Sequence, residues 1–247
     1  MTTDTAALHH TDSHQSGEAV SRLLVTWQHP IDRGYAAVGL LTCSERGYTF
    51  VYLRGAATTP GFRPFLGFPD LDHPYTSPHL FPIFDERVLG PSRPDRPGLL
   101  EALALGNDAG PMEFLARSGG HRHGDTIELL PLPSIVGGTA SVTFLVHGIQ
   151  HQDSAHLRID SLKRGDELAL LAEPDNLADP MALLVTSDGQ PLGWVPHPLL
   201  DFVHVLRRVG APRVTVVRAN GRQFGNNLRL LVRLEGAVPS GYEPLWD

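Results

Sequence analysis

The residues best suited to chemistry form one polar segment, residues 173–180 (Glu-Pro-Asp-Asn-Leu-Ala-Asp-Pro), which we name the polar corner. Asp and Asn accept turn geometry and bond their own backbone, whereas Pro fixes φ and prevents a helix. Apolar stretches at 167–172 and 181–186 flank the corner and favour β-strands. The sequence therefore predicts carboxylate and amide groups at one edge of a β framework, where they either bind a ligand or only cap the turns.

A second candidate is the histidine loop, residues 118–125 (Ser-Gly-Gly-His-Arg-His-Gly-Asp). His121 and His123 would share one face of an extended segment, and Asp125 would complete a metal site. The two glycines would alternatively form a backbone nest for an anion, beside two arginines. No fourth metal ligand follows at a spacing typical of metal sites, and flexible polar loops commonly have this composition. We therefore expect no metal and no cofactor.

No catalytic motif accompanies these groups. No Ser occupies a Gly-x-Ser-x-Gly turn, and Cys43, the single cysteine, has no recognisable His partner nearby. One cysteine excludes a disulfide framework and fits the cytoplasm. No apolar run approaches the roughly 20 residues of a membrane helix, and the first residues lack the order of a signal peptide. The sequence thus predicts a cytoplasmic protein that is not an enzyme.

The charge of the chain is unevenly distributed. The 247 residues carry a net charge of −7, which argues against general coating of nucleic acid. Yet residues 202–234 contain seven arginines and no acidic residue, while residues 153–201 contain nine acids and three bases. The arginines form either a footprint for phosphates or the solvated face of a sheet. They are Arg207, Arg208, Arg213, Arg218, Arg222, Arg229 and Arg233.

Hydrophobic periodicity predicts two β-rich domains. Residues 1–20 are polar and indicate a disordered tail. Residues 21–131 indicate a β meander, with strands at 23–27, 35–41, 48–53 and 126–130 and short helices at 79–89, 97–105 and 111–118. The Pro- and Gly-rich residues 132–138 indicate a linker.

The second domain, residues 139–236, precedes a short tail at 237–247. Strand candidates lie at 140–146, 167–172, 181–186, 192–195, 213–218 and 228–234, and one helix at 198–209 ends at Gly210. Five or six short strands and one helix in about 100 residues fit a small closed barrel such as the OB-fold. The predicted fold class is therefore α+β, mostly β with some α.

Four stretches of the second domain, taken in order, resemble the HIRAN domain. This module is fused to Swi/Snf-type helicases and also stands alone in bacteria. The resemblance implies an OB-like β-barrel that binds DNA, with single-stranded 3′ ends as the best understood ligand type. The matching stretches lie at 148–151, 162–170, 173–182 and 192–196.

The resemblance assigns roles to some positions and departs from the pattern at others. It implies that Asp179 meets a terminal sugar hydroxyl, since a carboxylate accepts strongly from O–H and repels an internal phosphate. Ala178 stands where an aromatic residue usually precedes this Asp. Gln150 and His151 stand where an Arg–Tyr pair is expected, and Gln152 also lacks an Arg or aromatic side chain. Stacking contributes about 1–3 kcal/mol per base, so the loss of two platforms weakens the expected capture of a 3′ end.

The first domain more faintly resembles the small N-terminal domain that precedes the kinase core of HipA-type toxins. The stretches at 24–27, 38–42, 48–52 and 114–120 carry the resemblance, which covers residues 22–131. No kinase motif follows, neither a Gly-rich phosphate loop before a strand Lys nor a catalytic Asp with a downstream Asn. The resemblance therefore implies a β-rich scaffold without activity.

We predict a non-enzymatic DNA-binding protein that favours single-stranded or end-containing DNA. Arginines would contact phosphates, and Trp194 or Phe224 would stack on bases. Binding should be modest and strongly salt-dependent, with a log–log slope of about 0.7 per neutralised phosphate, and the arginine stretch should contribute more affinity than the corner. The predicted contacts are Gln150, His151, Asn176, Asp179, Trp194, Arg207, Arg208, Arg213, Arg222 and Phe224.

A protein-interaction scaffold is the alternative prediction. The aromatic-rich residues 60–84 form either a core beneath a long loop or a surface that docks a DNA-processing or toxin–antitoxin partner. In the docking interpretation, changes at Phe65 or Phe68 would abolish function, while charge reversal at Arg207 and Arg208 would not.

Overall fold

The computed structural model describes residues 21–31, 33–122 and 124–244, and contains two antiparallel β-sheets flanked by short helices. The mostly β, α+β class predicted from the sequence is confirmed. The predicted tail at 1–20 lies outside the described residues. No helix in the described part of the chain is long and apolar enough to cross a membrane.

The N-terminal sheet has five strands in the order β4-β3-β2-β1-β5. They are β1 (Arg22–Gln28), β2 (Tyr35–Ser44), β3 (Gly47–Tyr52), β4 (Tyr75–Ser77) and β5 (Ile127–Pro131). Successive side chains of a strand point to opposite faces, and β1 is buried on both. Leu23 and Val25 pack in the N-terminal core, whereas Leu24 packs in the core of the second sheet.

An aromatic core covers the outer face of the N-terminal sheet. Phe50, Phe65, Phe68 and Phe84 are buried, and the ring centroids of Phe50 and Phe68 lie 4.6 Å apart. The hydroxyl of Tyr52 accepts from Phe65 N–H at 2.7 Å and donates to the Phe68 carbonyl at 2.9 Å. The prediction of a core beneath a long loop is confirmed. Phe65 and Phe68 are therefore not exposed for docking a partner.

Three helices lie between β4 and β5: α1 (Pro82–Asp85), α2 (Arg96–Ala102) and α3 (Pro111–Ser118). Each has Pro at its first or second position, where the missing N–H costs no hydrogen bond. The helix α3 has its predicted bounds and ends at Gly119, with φ of 69°. The predicted helix at 79–89 is shortened, because a residue before Pro favours extended backbone and Phe81 has ψ of 140°.

The C-terminal sheet has seven strands in the order β10-β9-β8-β11-β12-β7-β6. They are β6 (Ser134–Val136), β7 (Thr139–Leu145), β8 (Glu167–Ala172), β9 (Leu183–Ser187), β10 (Gln190–Trp194), β11 (Arg213–Ala219) and β12 (Leu230–Ala237). The predicted helix is α5 (Leu200–Val209), and a second helix, α4 (Ala155–Ser161), was too short for a periodic signal. Ile159 of α4 and Val203 of α5 are fully buried in the core of this sheet.

The seven strands form an open sheet, so the predicted closed barrel is wrong. A single β-bridge connects His147, just beyond β7, with Trp194 of the edge strand β10. Their backbone N–H groups donate to each other's carbonyls at 2.9 and 2.8 Å. Gly193 permits this approach, because a Cβ atom there would lie 2.3 Å from the His147 oxygen. A short 3₁₀ helix at Ile149–His151 then turns the chain away before a ladder forms.

The two sheets share a packed junction. Arg218 of β11 pairs with Glu101 of α2 at 2.5 Å, and the side-chain N–H of Asn220 donates to the Ala102 carbonyl at 2.8 Å. Residues 134–136 of the predicted linker form β6 and pair with β7. Side chains from both sheets can therefore contribute to one site.

Candidate functional site

The polar corner connects β8 to β9 and satisfies its own backbone. Oδ1 of Asn176 accepts hydrogen bonds from the N–H groups of Ala178 at 3.0 Å and Asp179 at 3.2 Å. Oδ1 of Asp179 accepts from the Met181 N–H at 2.8 Å. These bonds give the corner one defined shape. Asn176 therefore caps a turn of the corner, and its contact with a ligand stays a prediction.

Trp194 is hydrogen-bonded to the corner from β10. Its Nε1 donates to Oε2 of Glu173 at 2.5 Å, and Nδ2 of Asn176 donates to the same oxygen at 3.1 Å. The half-buried indole covers Gly148, where a Cβ atom would lie 2.5 Å from the ring and 3.7 Å from His151. The fold thus brings Trp194, Asn176 and His151 to one surface.

Asp179 keeps one carboxylate oxygen outside these backbone bonds. Its Oδ2 lies 3.4 Å from Nε2 of His197, and the side chain is 22% exposed. His197 begins a short 3₁₀ helix after β10, and sequence reasoning had not singled it out. A ligand O–H group can therefore reach the carboxylate, with an imidazole beside it.

Gln150 and His151 are exposed neighbours on the 3₁₀ helix after β7. The Nε2 atoms of their side chains lie 3.2 Å apart. Gln150 also lines a cleft of 610 Å³ at the junction of the two sheets. These two residues therefore connect the cleft with the surface around Trp194.

The cleft combines aromatic and amide groups. Phe114 of α3 and Phe224, between β11 and β12, line it together with Asn226 and Asn227. Such a lining suits a planar ring with polar edges, since aromatic faces stack and amides both donate and accept. His121 of the histidine loop lies on the same wall.

Most of the arginines in the acid-free stretch are paired with acids from elsewhere in the chain. Arg213 pairs with Glu167 at 2.8 Å and Arg222 with Asp160 at 3.3 Å. The other pairs are Arg218–Glu101 at 2.5 Å, Arg229–Asp160 at 2.7 Å and Arg233–Glu235 at 2.8 Å. Arg207 and Arg208 have no ion-pair partner among the described residues. The prediction that this stretch contributes more affinity than the corner therefore depends mainly on Arg207 and Arg208.

The arginines lie at different distances from the corner. Arg213 sits at the start of β11 and pairs with Glu167, the first residue of β8, whereas the corner follows the last residue of that strand. Six strand residues span about 20 Å. Arg207 and Arg208 occupy the last turn of α5, one turn beyond His204, whose Nε2 lies 2.8 Å from the Met181 carbonyl oxygen beside the corner. Arg213 therefore lies away from the other predicted contacts, whereas Arg207 and Arg208 follow a helix that reaches the corner.

The histidine loop does not form the metal site considered from its spacing. Asp125 pairs with the buried Arg87 and accepts from the Ile127 N–H at 2.8 Å. Arg122 pairs with Glu86 at 2.6 Å, and His123 lies outside the described residues. His121 turns instead toward β5.

Three side chains that are distant in sequence meet at the junction, and we name them the His–Glu–His cluster. Oε1 of Glu128 on β5 lies 2.8 Å from Nε2 of His147 and 3.2 Å from Nε2 of His121. The Glu128 side chain is 3% exposed, and its Oε2 has no hydrogen-bond partner within residues 21–31, 33–122 and 124–244. Sequence reasoning missed this cluster. Its one sequence signal was a Glu within the apolar strand Ile127–Pro131.

The cluster perturbs the ionisation of its members. Burial alone would raise the pKa of Glu128, but the charges and hydrogen bonds of His147 and His121 outweigh burial and lower it to about 2. Burial lowers the pKa of His121, yet the hydrogen bond and charge of Glu128 leave it raised. Burial, with the nearby Glu128 charge, raises the pKa of Tyr35 to about 12. Glu128 is therefore a carboxylate at neutral pH.

Comparisons with known proteins give two solved structures of limited similarity. One is a protein from Lactobacillus plantarum, 19% identical, which covers 41% of this chain and 100% of its own, with a TM-score of 0.34. The other is the HIRAN domain of human HLTF, 17% identical, covering 42% of this chain and 84% of its own, with a TM-score of 0.30. No protein-family model and no curated protein matches. None of these comparisons supports the HipA resemblance, and such TM-scores carry no argument about function.

Proposed function

We propose that the protein is a non-enzymatic nucleic-acid-binding protein that takes up a short single strand, in particular the end of a DNA strand. The strand would follow the cleft–corner surface, which we define as the lining of the cleft, Gln150, His151, Trp194 and the polar corner. The alignment of these groups supports the proposal. The single observation that carries it is the position of Trp194, which is hydrogen-bonded to Glu173 of the corner and lies with His151 against Gly148, next to Gln150 of the cleft.

Aromatic groups along this path suit stacked bases. Phe224 lines the cleft, His151 is exposed, and Trp194 is half-buried. Each base stacked on such a side chain contributes about 1–3 kcal/mol without sequence preference. The missing aromatic residue at Ala178 limits stacking at the corner itself. We therefore expect most of the affinity to come from the cleft and from His151.

Asp179 suits the end of a strand. Its exposed carboxylate can accept from a terminal 3′-hydroxyl, and its charge disfavours a terminal phosphate at the same position. His197 beside it reduces the repulsion when protonated. A 3′-hydroxyl should therefore be preferred over a 3′-phosphate.

The salt dependence should be weaker than seven arginines would give. Five of the seven are paired with acids, and among the described residues only Arg207 and Arg208 have no ion-pair partner. About two neutralised phosphates correspond to a log–log slope of about 1.4, against about 5 for seven. A shallow slope would indicate that stacking, rather than charge, provides the affinity.

Fluorescence polarisation with short labelled oligonucleotides tests the proposal. Single strands ending in 3′-hydroxyl and in 3′-phosphate are compared with a blunt duplex, at low and moderate salt. Binding that prefers the 3′-hydroxyl single strand is expected. Equal binding of both ends removes the role of Asp179, and no binding at low salt removes the proposed function.

A protein-binding surface at the corner is the second candidate. Leu171, Leu177 and Met181 are exposed apolar side chains on or beside the corner, and such groups mark docking sites when they cluster. The variant Leu177→Glu should then lose a partner that His151→Ala retains, in affinity purification followed by quantitative mass spectrometry. Loss of oligonucleotide binding in His151→Ala, with no protein captured by the wild type, would support the nucleic-acid proposal instead.

A further inference from the structure

We propose that His121, Glu128 and His147 form a binding site for one divalent transition-metal ion of the zinc or ferrous class. Two imidazole nitrogens and one carboxylate oxygen form the donor set that such ions prefer. His121 also lines the cleft, but the proposal does not require nucleic-acid binding, and metal binding measured without nucleic acid can fail or succeed separately from it.

The distances fit a metal with small movement of the side chains. The three donor atoms lie within 4.8 Å of one another, and Oε1 of Glu128 lies 2.8 and 3.2 Å from the two imidazole nitrogens. Bonds of about 2.1 Å to a tetrahedral or octahedral ion separate neighbouring donors by about 3.0–3.4 Å. The two Glu128 distances therefore need a shift of only a few tenths of an ångström, and the two imidazole nitrogens, which lie within 4.8 Å of each other, must come to the same spacing.

The hydrogen-bond pattern favours convergence on a cation over two ordinary ion pairs. Both histidines approach the same Glu128 oxygen, and the second oxygen is buried without a partner among the described residues. Two independent ion pairs would use both oxygens. A buried, unpaired carboxylate oxygen is unfavourable, because it has lost its hydrogen bonds to water. A bound cation would compensate this charge.

Rigid backbone positions each ligand. The bridge to Trp194, with hydrogen bonds of 2.9 and 2.8 Å, fixes the backbone of His147. Glu128 lies opposite Thr26 of the neighbouring strand β1, and the Thr26 hydroxyl donates to the Glu128 carbonyl at 3.2 Å. The His121 segment is fixed by Arg87, which donates to the Gly120 carbonyl at 2.9 Å. Ligands fixed in this way bind a metal without ordering a flexible loop.

Three protein ligands leave further coordination positions for water or a small ligand. His121 lines the 610 Å³ cleft as well as the cluster. The metal would thus lie at the edge of the cleft.

Isothermal titration of chelator-treated, untagged protein with zinc chloride tests the site, together with elemental analysis after dialysis. His9, His10 and His14 are replaced by Ala in every sample, so that the N-terminal segment cannot bind metal. One ion per chain is expected, with a rise in the midpoint of thermal unfolding. Cobalt(II) in place of zinc should give ligand-field absorption of an N/O site.

The variant His121→Ala is the main test, because its side chain is 29% exposed and its loss is tolerable for folding. We expect affinity to fall by about 100-fold. His151→Ala and His197→Ala, on the cleft–corner surface, are matched controls that keep wild-type affinity. If the folded wild type binds no zinc or cobalt stoichiometrically, or if His121→Ala binds equally well, the proposal is overturned and the cluster is an ion-paired structural contact.

Discussion

The polar corner and the buried charged groups of the junction use their polar atoms in opposite ways. In the corner, Asn176 and Asp179 bond backbone N–H groups only a few residues away. In the interior, Glu128 and Arg229 contact groups far away in sequence and keep atoms without a hydrogen-bond partner in the described part of the chain. A polar sequence motif thus stabilises itself locally, whereas isolated charges in apolar strands depend on the whole fold.

The largest effect that this comparison predicts is at Arg229. The side chain is fully buried, and its Nη2 donates to the His156 carbonyl at 3.1 Å and to Asp160 at 2.7 Å, which fixes α4. Arg229→Ala should lower the free energy of unfolding by about 4 kcal/mol, measured by urea denaturation. Arg213→Ala, which breaks an exposed pair, should cost less than about 0.5 kcal/mol. Equal costs would mean that burial does not distinguish the two pairs.

Glu128 should show the next largest effect. With a chelator present, Glu128→Gln removes the charge that both histidines approach, and we expect a loss of about 2 kcal/mol in the free energy of unfolding. Glu173→Gln is the matched change in the corner and should cost about 0.5 kcal/mol, since its amide oxygen still accepts from Trp194. A larger loss for Glu173→Gln would reverse the comparison.

The cleft–corner surface should respond in binding rather than in stability. His151→Ala and Phe224→Ala each remove one stacking platform and should weaken single-strand binding about tenfold, or about 1.4 kcal/mol. Polarisation titrations measure this change, with Arg213→Ala as a control at the other end of the domain. Unchanged affinity in both variants would contradict the proposed path.

A smaller effect is expected within the corner. Asn176→Ala removes an acceptor for two exposed N–H groups that water can replace, so the free energy of unfolding should fall by about 1 kcal/mol. Chemical denaturation measures it. A loss above that of Glu128→Gln would show that the corner, rather than the junction, limits stability.

The smallest effect concerns the exposed partner of Arg229. The hydrogen bond from Arg229, with its charge, lowers the pKa of Asp160. Folding therefore favours the charged carboxylate. Its contribution to the free energy of unfolding is complete above about pH 4 and is lost as the pH falls through the lowered pKa of Asp160 in the folded state. Asp160→Asn should reduce the loss of stability that denaturation measures between about pH 5 and 2. An unchanged loss would show that other carboxylates cause it.

Local patterns in the sequence predicted the elements well. The strand Glu167–Ala172 and the helix Pro111–Ser118 have their predicted bounds, because apolar runs end at turn-forming residues in both cases. The prediction of a closed barrel was wrong. Closure depends on a few backbone contacts between strands distant in sequence, and in this structure those contacts are limited to the bridge between His147 and Trp194. The helix Ala155–Ser161 left too short a pattern to detect.

The predicted contact residues likewise fall into two groups in the structure. Asn176, Asp179, Trp194, His151 and Gln150 lie along one surface, whereas Arg213 pairs with Glu167 at the opposite end of β8. Five of the seven arginines in the acid-free stretch are paired with Glu101, Asp160, Glu167 or Glu235. Charge counted along the chain does not reveal such pairing.

The sequence by itself determined the mostly β class, the turns of the polar corner and the aromatic core, because each depends on residues near one another in the chain. Only the tertiary structure decided that the sheet stays open, that five arginines are paired, and that His121, Glu128 and His147 meet. The histidines and Glu128 meet where the two halves pack together, whereas most of the arginine pairs lie within the C-terminal half. In that interior a charge must find its partner in space, since water is absent and neighbours in sequence are apolar.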